Sequence, residues 1–291
     1  NRDWAWITQV ESQQRLNEYQ KWMPHVHVDF HEQGINEPYY FAPAAEPYHE
    51  VITKWQRDFQ FMIGKNNAKY FDENGWLYFT KEIFDLLYPS YGDTYPTYLG
   101  AIGMTYEQAG GGVAGLGILN SEGKNLTLVD RVMHHTVAGI STVEISSANS
   151  EKLNSEFVNF FKNKAGNTTY IMNGDKDKID QLSRFLKKHK IDFYSSDNQK
   201  LSVYSYNKNK TINYSISTAD LIIPNYQPKG KLVDVFLERT TKLSDSMTYD
   251  ITAWSLPFAY GLNGYNTSKK IELKKYTEKK VENLVDKKAI A

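Results

Sequence analysis

The chain has 291 residues, 34 basic against 34 acidic side chains, 41% hydrophobic and 14% aromatic residues, and no cysteine. That is the composition of a globular protein of one or two domains, and it excludes a disulfide scaffold, cysteine-held zinc, an iron-sulfur cluster and a catalytic thiol. Balanced charge gives no broad attraction to nucleic acid or anionic lipid, and no stretch approaches the roughly 20 apolar residues of a membrane span. A small molecule or a peptide is therefore the expected partner. Composition leaves the location open, and no leader can be read ahead of Asn1.

In chain order, Ile7, Glu11, Arg15, Glu18 and Trp22 recur at helical spacing, which predicts a helix over 7–22 ended by Pro24. His25 to His31 then alternates, with Val26, Val28 and Phe30 on one face of a strand and His25, His27, Asp29 and His31 on the other. Pro43 and Pro47 mark an irregular loop, and Glu50 to Ile63 resumes a helical pattern that Gly64 is expected to stop. Residues 66–98 are aromatic and turn-rich, Ala101 to Glu107 alternates again, and Gly110-Gly111-Gly112 must end that strand. A helix from Leu128 to Ser147 follows. Lys162 to Asn167 reads as an interdomain turn, after which Thr168–Met172, Ile191–Tyr194, Leu201–Tyr206 and Leu221–Pro224 read as strands. With a helix over Asp177–Lys190 whose Ile179, Leu182, Phe185 and Leu186 face inward, this predicts a small, mostly parallel sheet. Residues 268–291 predict a charged helical tail.

In open α/β sheets ligands gather beyond the carboxyl ends of the strands. Two such ends carry reactive groups here, His31 and Glu107, and neighbouring strands would bring the imidazole and the carboxylate together. Taken alone, each is more often a structural or solvated residue. His25 and His27 lie about 6.6 Å apart along the strand; as a metal pair they rank below an ordinary packed role. His134-His135 on a helix reads as packing or surface. Gly110 to Gly115 formally satisfies a dinucleotide fingerprint, but a turn follows it instead of a helix.

Asn1-Arg2-Asp3-Trp4, His25-Val26-His27-Val28-Asp29-Phe30-His31 leading into Gly34, and Gly92-Asp93-Thr94 through Gly103-Met104-Thr105-Tyr106-Glu107 together resemble three successive blocks of the zinc carboxypeptidase family. The resemblance covers about residues 1–150. It implies an α/β fold with a carboxypeptidase-like mixed sheet and flanking helices, and hydrolysis of peptide bonds at substrate C termini. It implies that Asn1 and Arg2 grip the terminal carboxylate, His31 is a zinc ligand and Glu107 the general base. Tyr91, with Tyr88 as the alternative, would fold over the substrate, and Asp93 would line the side-chain pocket unless it serves as a cap. Arg2 suits a carboxylate because its planar fork donates two parallel bonds. Zinc with two His and one Glu keeps a position for water, carboxypeptidase being a standard example of that arrangement. Tyr39-Tyr40-Phe41-Ala42-Pro43 is similar to a bacterial branch, and the resemblance implies an extracytoplasmic, periplasmic or secreted, location.

The family's H-x-x-E zinc block precedes the N-R-D-W block, and here no Glu stands three positions after His25, His27, His31, His49, His134, His135 or His189. A single ligand holds zinc poorly. The expectation is a fragment, N-terminally incomplete, whose zinc is absent or weakly held, and the missing segment is a candidate partner. The rival expectation is a peptidase-like binding or scaffold protein without catalysis. An incomplete parent sheet also predicts an exposed strand edge near His25 to Phe30. Residues 166–262, from Thr168-Thr169-Tyr170-Ile171-Met172 to Tyr249-Asp250-Ile251-Thr252-Ala253-Trp254, resemble a smaller flavodoxin-like domain of the class I glutamine amidotransferase type. Without its cysteine nucleophile this reads as a structural or docking module. Asp245 and Asp250 there are capping or turn residues.

Overall fold

The computed structural model of the protein describes residues 2–163, 165–243, 248 and 253–277. The chain is mixed α/β and divides into two compact units, one of Asn1–Gly166 with Asn225–Leu256, the other of Asn167–Pro224 with Pro257–Ala291. Among the described residues no helix is long and apolar enough to cross a membrane.

In the first unit the Asp3 carboxylate accepts from the backbone N–H of Thr8 (2.9 Å) and Gln9 (3.0 Å) ahead of helix α1 (Val10–Trp22). Strand β1 (Val26–Gln33) follows, then the short strands β2 (Tyr39–Tyr40) and β3 (Ala45–Tyr48). Helix α2 (Lys54–Asn74) starts at a reciprocal Thr53–Gln56 cap and stops at Gly75, whose φ of 67° few other residues adopt. Strands β4 (Tyr78–Phe79) and β5 (Asp85–Leu86) lead to the short helix α3 (Thr94–Tyr98) and to strand β6 (Ile102–Ala109). A hairpin of β7 (Gly117–Leu119) and β8 (Asn125–Thr127) then feeds α4 (Leu128–Ala148), capped by Thr127 and Asp130, and α5 (Ser150–Lys162).

The sheet of this unit has the order β1-β6-β2-β4. β1 and β6 run parallel from Val26↔Ile102 to Gln33↔Ala109, β2 is antiparallel to β6, and β4 is parallel to β2. Val26 and Val28 pack on a core of Tyr39, Phe59, Ile63, Phe71, Met104 and Tyr106, among others. The opposite face of β1 carries His27, edge-on to buried Trp4 with ring centres 5.2 Å apart. The outer edge of β1 has no strand beside it among the described residues.

Gly64 does not stop the second helix, contrary to the sequence expectation. It lies inside α2, where a Cβ would come within 2.2 Å of the Ala42 carbonyl oxygen and 2.8 Å of Pro43 Cδ. Here the missing side chain lets the helix press on the loop after β2.

The second unit begins with β9 (Thr169–Asn173) and α6 (Lys176–Lys188), whose Ile179, Leu182, Phe185 and Leu186 are buried. Next come β10 (Tyr194–Ser195), β11 (Lys200–Ser205), β12 (Lys210–Ser215) and β13 (Leu221–Pro224). The chain then returns to the first unit through α7 (Gly230–Leu237) before α8 (Leu256–Ala259), β14 (Asn263–Thr267) and β15 (Lys274–Lys275). The sheet has the order β12-β11-β14-β9-β13-β10-β15 and every pairing is antiparallel. This corrects the expected mostly parallel, flavodoxin-like sheet. A parallel neighbour needs a crossover, but β11 and β12 form a hairpin and α7 belongs to the other unit.

The stretch 166–262 expected as one domain is thus shared between the units, and α5 extends the first past residue 150. The returning segment is fastened by His49 Nε2 and Glu238 Oε1 at 2.9 Å, and within it Trp254 Nε1 donates to the Val235 carbonyl at 2.8 Å. Where a charged helix was expected from residue 268, Lys274–Lys275 form β15 against β10. Residues 278–291, Asp245 and Asp250 lie outside the described residues.

Two glycines give a test of these contacts. Gly64→Ala forces backbone apart and should cost about 3 kcal/mol. Gly75→Ala meets open space and should cost only the roughly 1 kcal/mol of a left-handed alanine. Urea unfolding monitored by circular dichroism checks both, and equal losses would contradict the packing role of Gly64.

Candidate active site

Parallel pairing places His31 directly opposite Glu107, at the carboxyl ends of β1 and β6. The chain start is tied beside them: Ser90 Oγ donates to the Arg2 carbonyl (2.8 Å) and accepts from Ala5 N (3.0 Å), and Trp4 N donates to the Ser90 carbonyl (3.2 Å). One cavity of about 60 Å³ is lined by Arg2, His31, Phe84, Asp85, Tyr91, Gly92, Asp93, Thr105 and Glu107. The sequence-predicted residues Arg2, His31, Tyr91, Asp93 and Glu107 therefore open onto a single cleft, and Asn1 lies outside the described residues. Of the two tyrosines left open, Tyr91 lines the cavity, with the Arg2 guanidinium 5.5 Å from its ring centre. The Tyr88 hydroxyl accepts from Trp6 Nε1 at 2.6 Å.

Glu107 is 8% exposed and its Oε2 has no hydrogen-bond partner among the described residues. Burial pushes its carboxyl up to about 7, while the neighbouring His31 pulls it down. His31 Nε2 lies 2.9 Å from Asp29 Oδ2, and that bond raises the imidazole against the opposing effect of burial. Asp29 itself is held below the ordinary carboxylate range: burial raises it, and hydrogen bonding and charge from His31 outweigh that. Asp93 is buried and raised by desolvation. Its Oδ1 accepts from Thr94 N and Thr94 Oγ1, and its Oδ2 from Thr105 Oγ1 (2.8 Å). Asp93 thus caps α3 and also lines the cleft.

Three contributors were not singled out in the sequence. Asp29 orients His31, and its signal was present in the i, i+2 alternation that puts both on one face. Gly92 makes room for it, since a Cβ there would fall 1.8 Å from Asp29 Oδ2. Arg15, on α1, stacks 4.0 Å from the Trp4 ring centre and acts electrostatically on Asp29. The other histidines have structural neighbours: His25 lies against Phe157 (4.2 Å), His134 Nδ1 is 2.7 Å from Gln108 Oε1, and His135 Nδ1 is 2.7 Å from the Tyr39 hydroxyl.

Chemically, the cleft offers a carboxyl that exchanges its proton near neutrality, a carboxylate-polarised imidazole and a guanidinium. It does not by itself make a zinc site. His31 supplies one imidazole, and among the described residues no group of three or more His, Asp or Glu side chains converges to hold a metal. Comparison with known proteins found no matching family model, no matching curated protein and no matching solved structure.

The raised carboxyl makes stability depend on pH. Between its ordinary 4.5 and about 7 the unfolded chain has released the Glu107 proton and the folded chain keeps it, so stability falls as pH rises through that window. His31, raised above 6.5, acts with the same sign, its contribution being lost as pH rises through its folded value. The depressed Asp29 acts at the other end, losing its contribution as pH falls below 3.8. Glu107→Gln should remove up to about 3 kcal/mol of the difference in stability between about pH 5 and about pH 8. Urea titrations of both proteins measure it, and parallel pH profiles would show that Glu107 is not the group concerned.

Proposed function

We propose that the first unit is the substrate-gripping and proton-transferring part of a zinc-dependent metallocarboxypeptidase, which hydrolyses peptide bonds at substrate C termini. The observation that carries this reading is the shared cavity of Arg2, His31 and Glu107. Arg2 pairs with the terminal carboxylate, Tyr91 covers it, and Glu107 takes the proton of the attacking water and passes it to the leaving amine, a role matched to a carboxyl near neutrality. His31, oriented by Asp29, contributes one metal ligand. Bound zinc would polarise the scissile carbonyl and acidify water; its other ligands would come from a segment that completes the unit.

The surface supports such completion. Among the described residues no strand pairs with the outer edge of β1, and Phe30 on that strand is 46% exposed. α4 buries Arg131, Ala138 and Thr142 on one side, yet exposes Val129 (70%), Ile140 (65%) and Val143 (67%) on the other. An apolar stripe along a helix normally faces another element and not solvent.

The second reading is a peptidase-like binding protein in which Arg2 recognises carboxylates without catalysis, favoured by the single imidazole at the cavity. A full-length protein distinguishes the two. The peptidase reading expects one zinc per chain, loss of C-terminal residue release by about 10²–10⁴-fold in Glu107→Gln, and a raised KM with smaller change in kcat in Arg2→Gln. Undiminished peptide binding with neither zinc nor hydrolysis would replace it with the binding reading.

A further inference from the structure

On the other side of β6 from Glu107 a second cleft stands apart from the peptidase reading and does not rest on it. Gln108 follows Glu107 in the strand, so its side chain leaves the opposite face. It lines a cavity of about 260 Å³ with Tyr39, Trp76, the loop after β1, the β7–β8 hairpin and the first turns of α4. That is slightly below the roughly 300–1,000 Å³ of pockets for drug-sized ligands, which suits one compact ring.

The polar groups of this cleft are oriented by the backbone. Asn36 Oδ1 accepts from Ser121 N at 2.8 Å, and Asn120 Oδ1 accepts from Glu122 N (3.1 Å) and Lys124 N (2.9 Å). Both amides therefore keep their NH₂ groups as donors. His134 Nδ1 lies 2.7 Å from the Gln108 amide oxygen, which places the proton on Nδ1 and leaves Nε2 as an acceptor. Burial holds this imidazole down, and its ring centre is 4.4 Å from that of Trp76. Lys124 is paired with Glu122 at 3.0 Å, so among the described residues the cleft keeps the negative charges of Glu37 and of Asp130, the latter hydrogen-bonded in the α4 cap.

The cleft is thus lined by donors (Asn36, Asn120), by acceptors (Glu37, His134) and by the half-buried ring of Trp76. A ligand that fits must offer each polar atom as both donor and acceptor above a small apolar face, and must not be anionic. The neighbouring hydroxyls and C–H face of a pyranose meet all three conditions. We propose that this cleft binds one neutral sugar ring.

The test titrates the full chain with methyl glucoside, methyl galactoside and N-acetylglucosamine, monitored by the Trp76 indole and His134 imidazole signals in NMR and by calorimetry. At least one sugar should shift both signals and bind weakly, in the millimolar range. The Asn36→Ala/Glu37→Gln double variant, at exposed positions that leave the core intact, should weaken that binding at least tenfold. Trp76→Phe, which keeps an aromatic ring, should weaken it less. The proposal fails if no sugar moves the two signals, if binding is unchanged in the double variant, or if a lysine amide or a sugar phosphate binds there in preference to every neutral sugar.

Discussion

Parallel pairing between β1 and β6 sets an imidazole and a carboxyl on neighbouring strands at one end of the sheet, and the rest of the site is built around that pair. Because the register matches His31 to Glu107 residue for residue, a shift of one position in either strand would turn one of them to the opposite face. The register is held from the core side. Val26, Val28, Ile102, Met104 and Tyr106 alternate with the functional residues and pack under the sheet. Tyr106 joins its hydroxyl to Thr142 of α4 at 2.6 Å and to Asn67 of α2 at 3.2 Å. The chemistry on one face thus depends on packing on the other.

Close backbone approach closes the site from above. The 91–93 loop can lie on Asp29 because Gly92 has no side chain, and α3 can lie on β6 because a Cβ at Gly103 would fall 1.9 Å from the Asp93 carbonyl oxygen. These two glycines need no unusual backbone angle; what they contribute is space. They let Asp93 and Thr105 come together.

Elements whose cause is local were legible in the sequence: the alternation in β1 and β6, the turn at Gly110–Gly112, and α4, expected over Leu128 to Ser147 and observed over Leu128–Ala148. What escaped depends on contacts distant in sequence. Gly64 reads as a helix stop until the loop at Ala42 is seen against it. The strands of the second unit read as a parallel series because their spacing allows helical crossovers, but residues 225–256 leave to pack with the first unit. The candidate residues His31 and Glu107 were legible as strand ends. That Arg15 supports them was not, because that relation exists only once α1 lies beside β1 through Trp4.

Four carboxyls lie in or beside this small space: Asp85 accepts from Leu87 N at 3.2 Å, and the other three meet the cost of burial each in a different way. Asp29 stays ionised by sharing a bond with His31 and lying in the field of Arg15. Asp93 is surrounded by donors from Thr94 and Thr105, so its oxygens are already committed. Glu107 has an oxygen with no partner among the described residues and answers desolvation by holding its proton to about 7. A group locked as an anion can orient a neighbour, and a group ringed by donors can shape a pocket, but neither can readily exchange a proton with a substrate. Only the third arrangement leaves a carboxyl able both to take up and to release a proton near neutrality. Among these carboxyls Glu107 is therefore the one whose surroundings best suit the proton transfer proposed above.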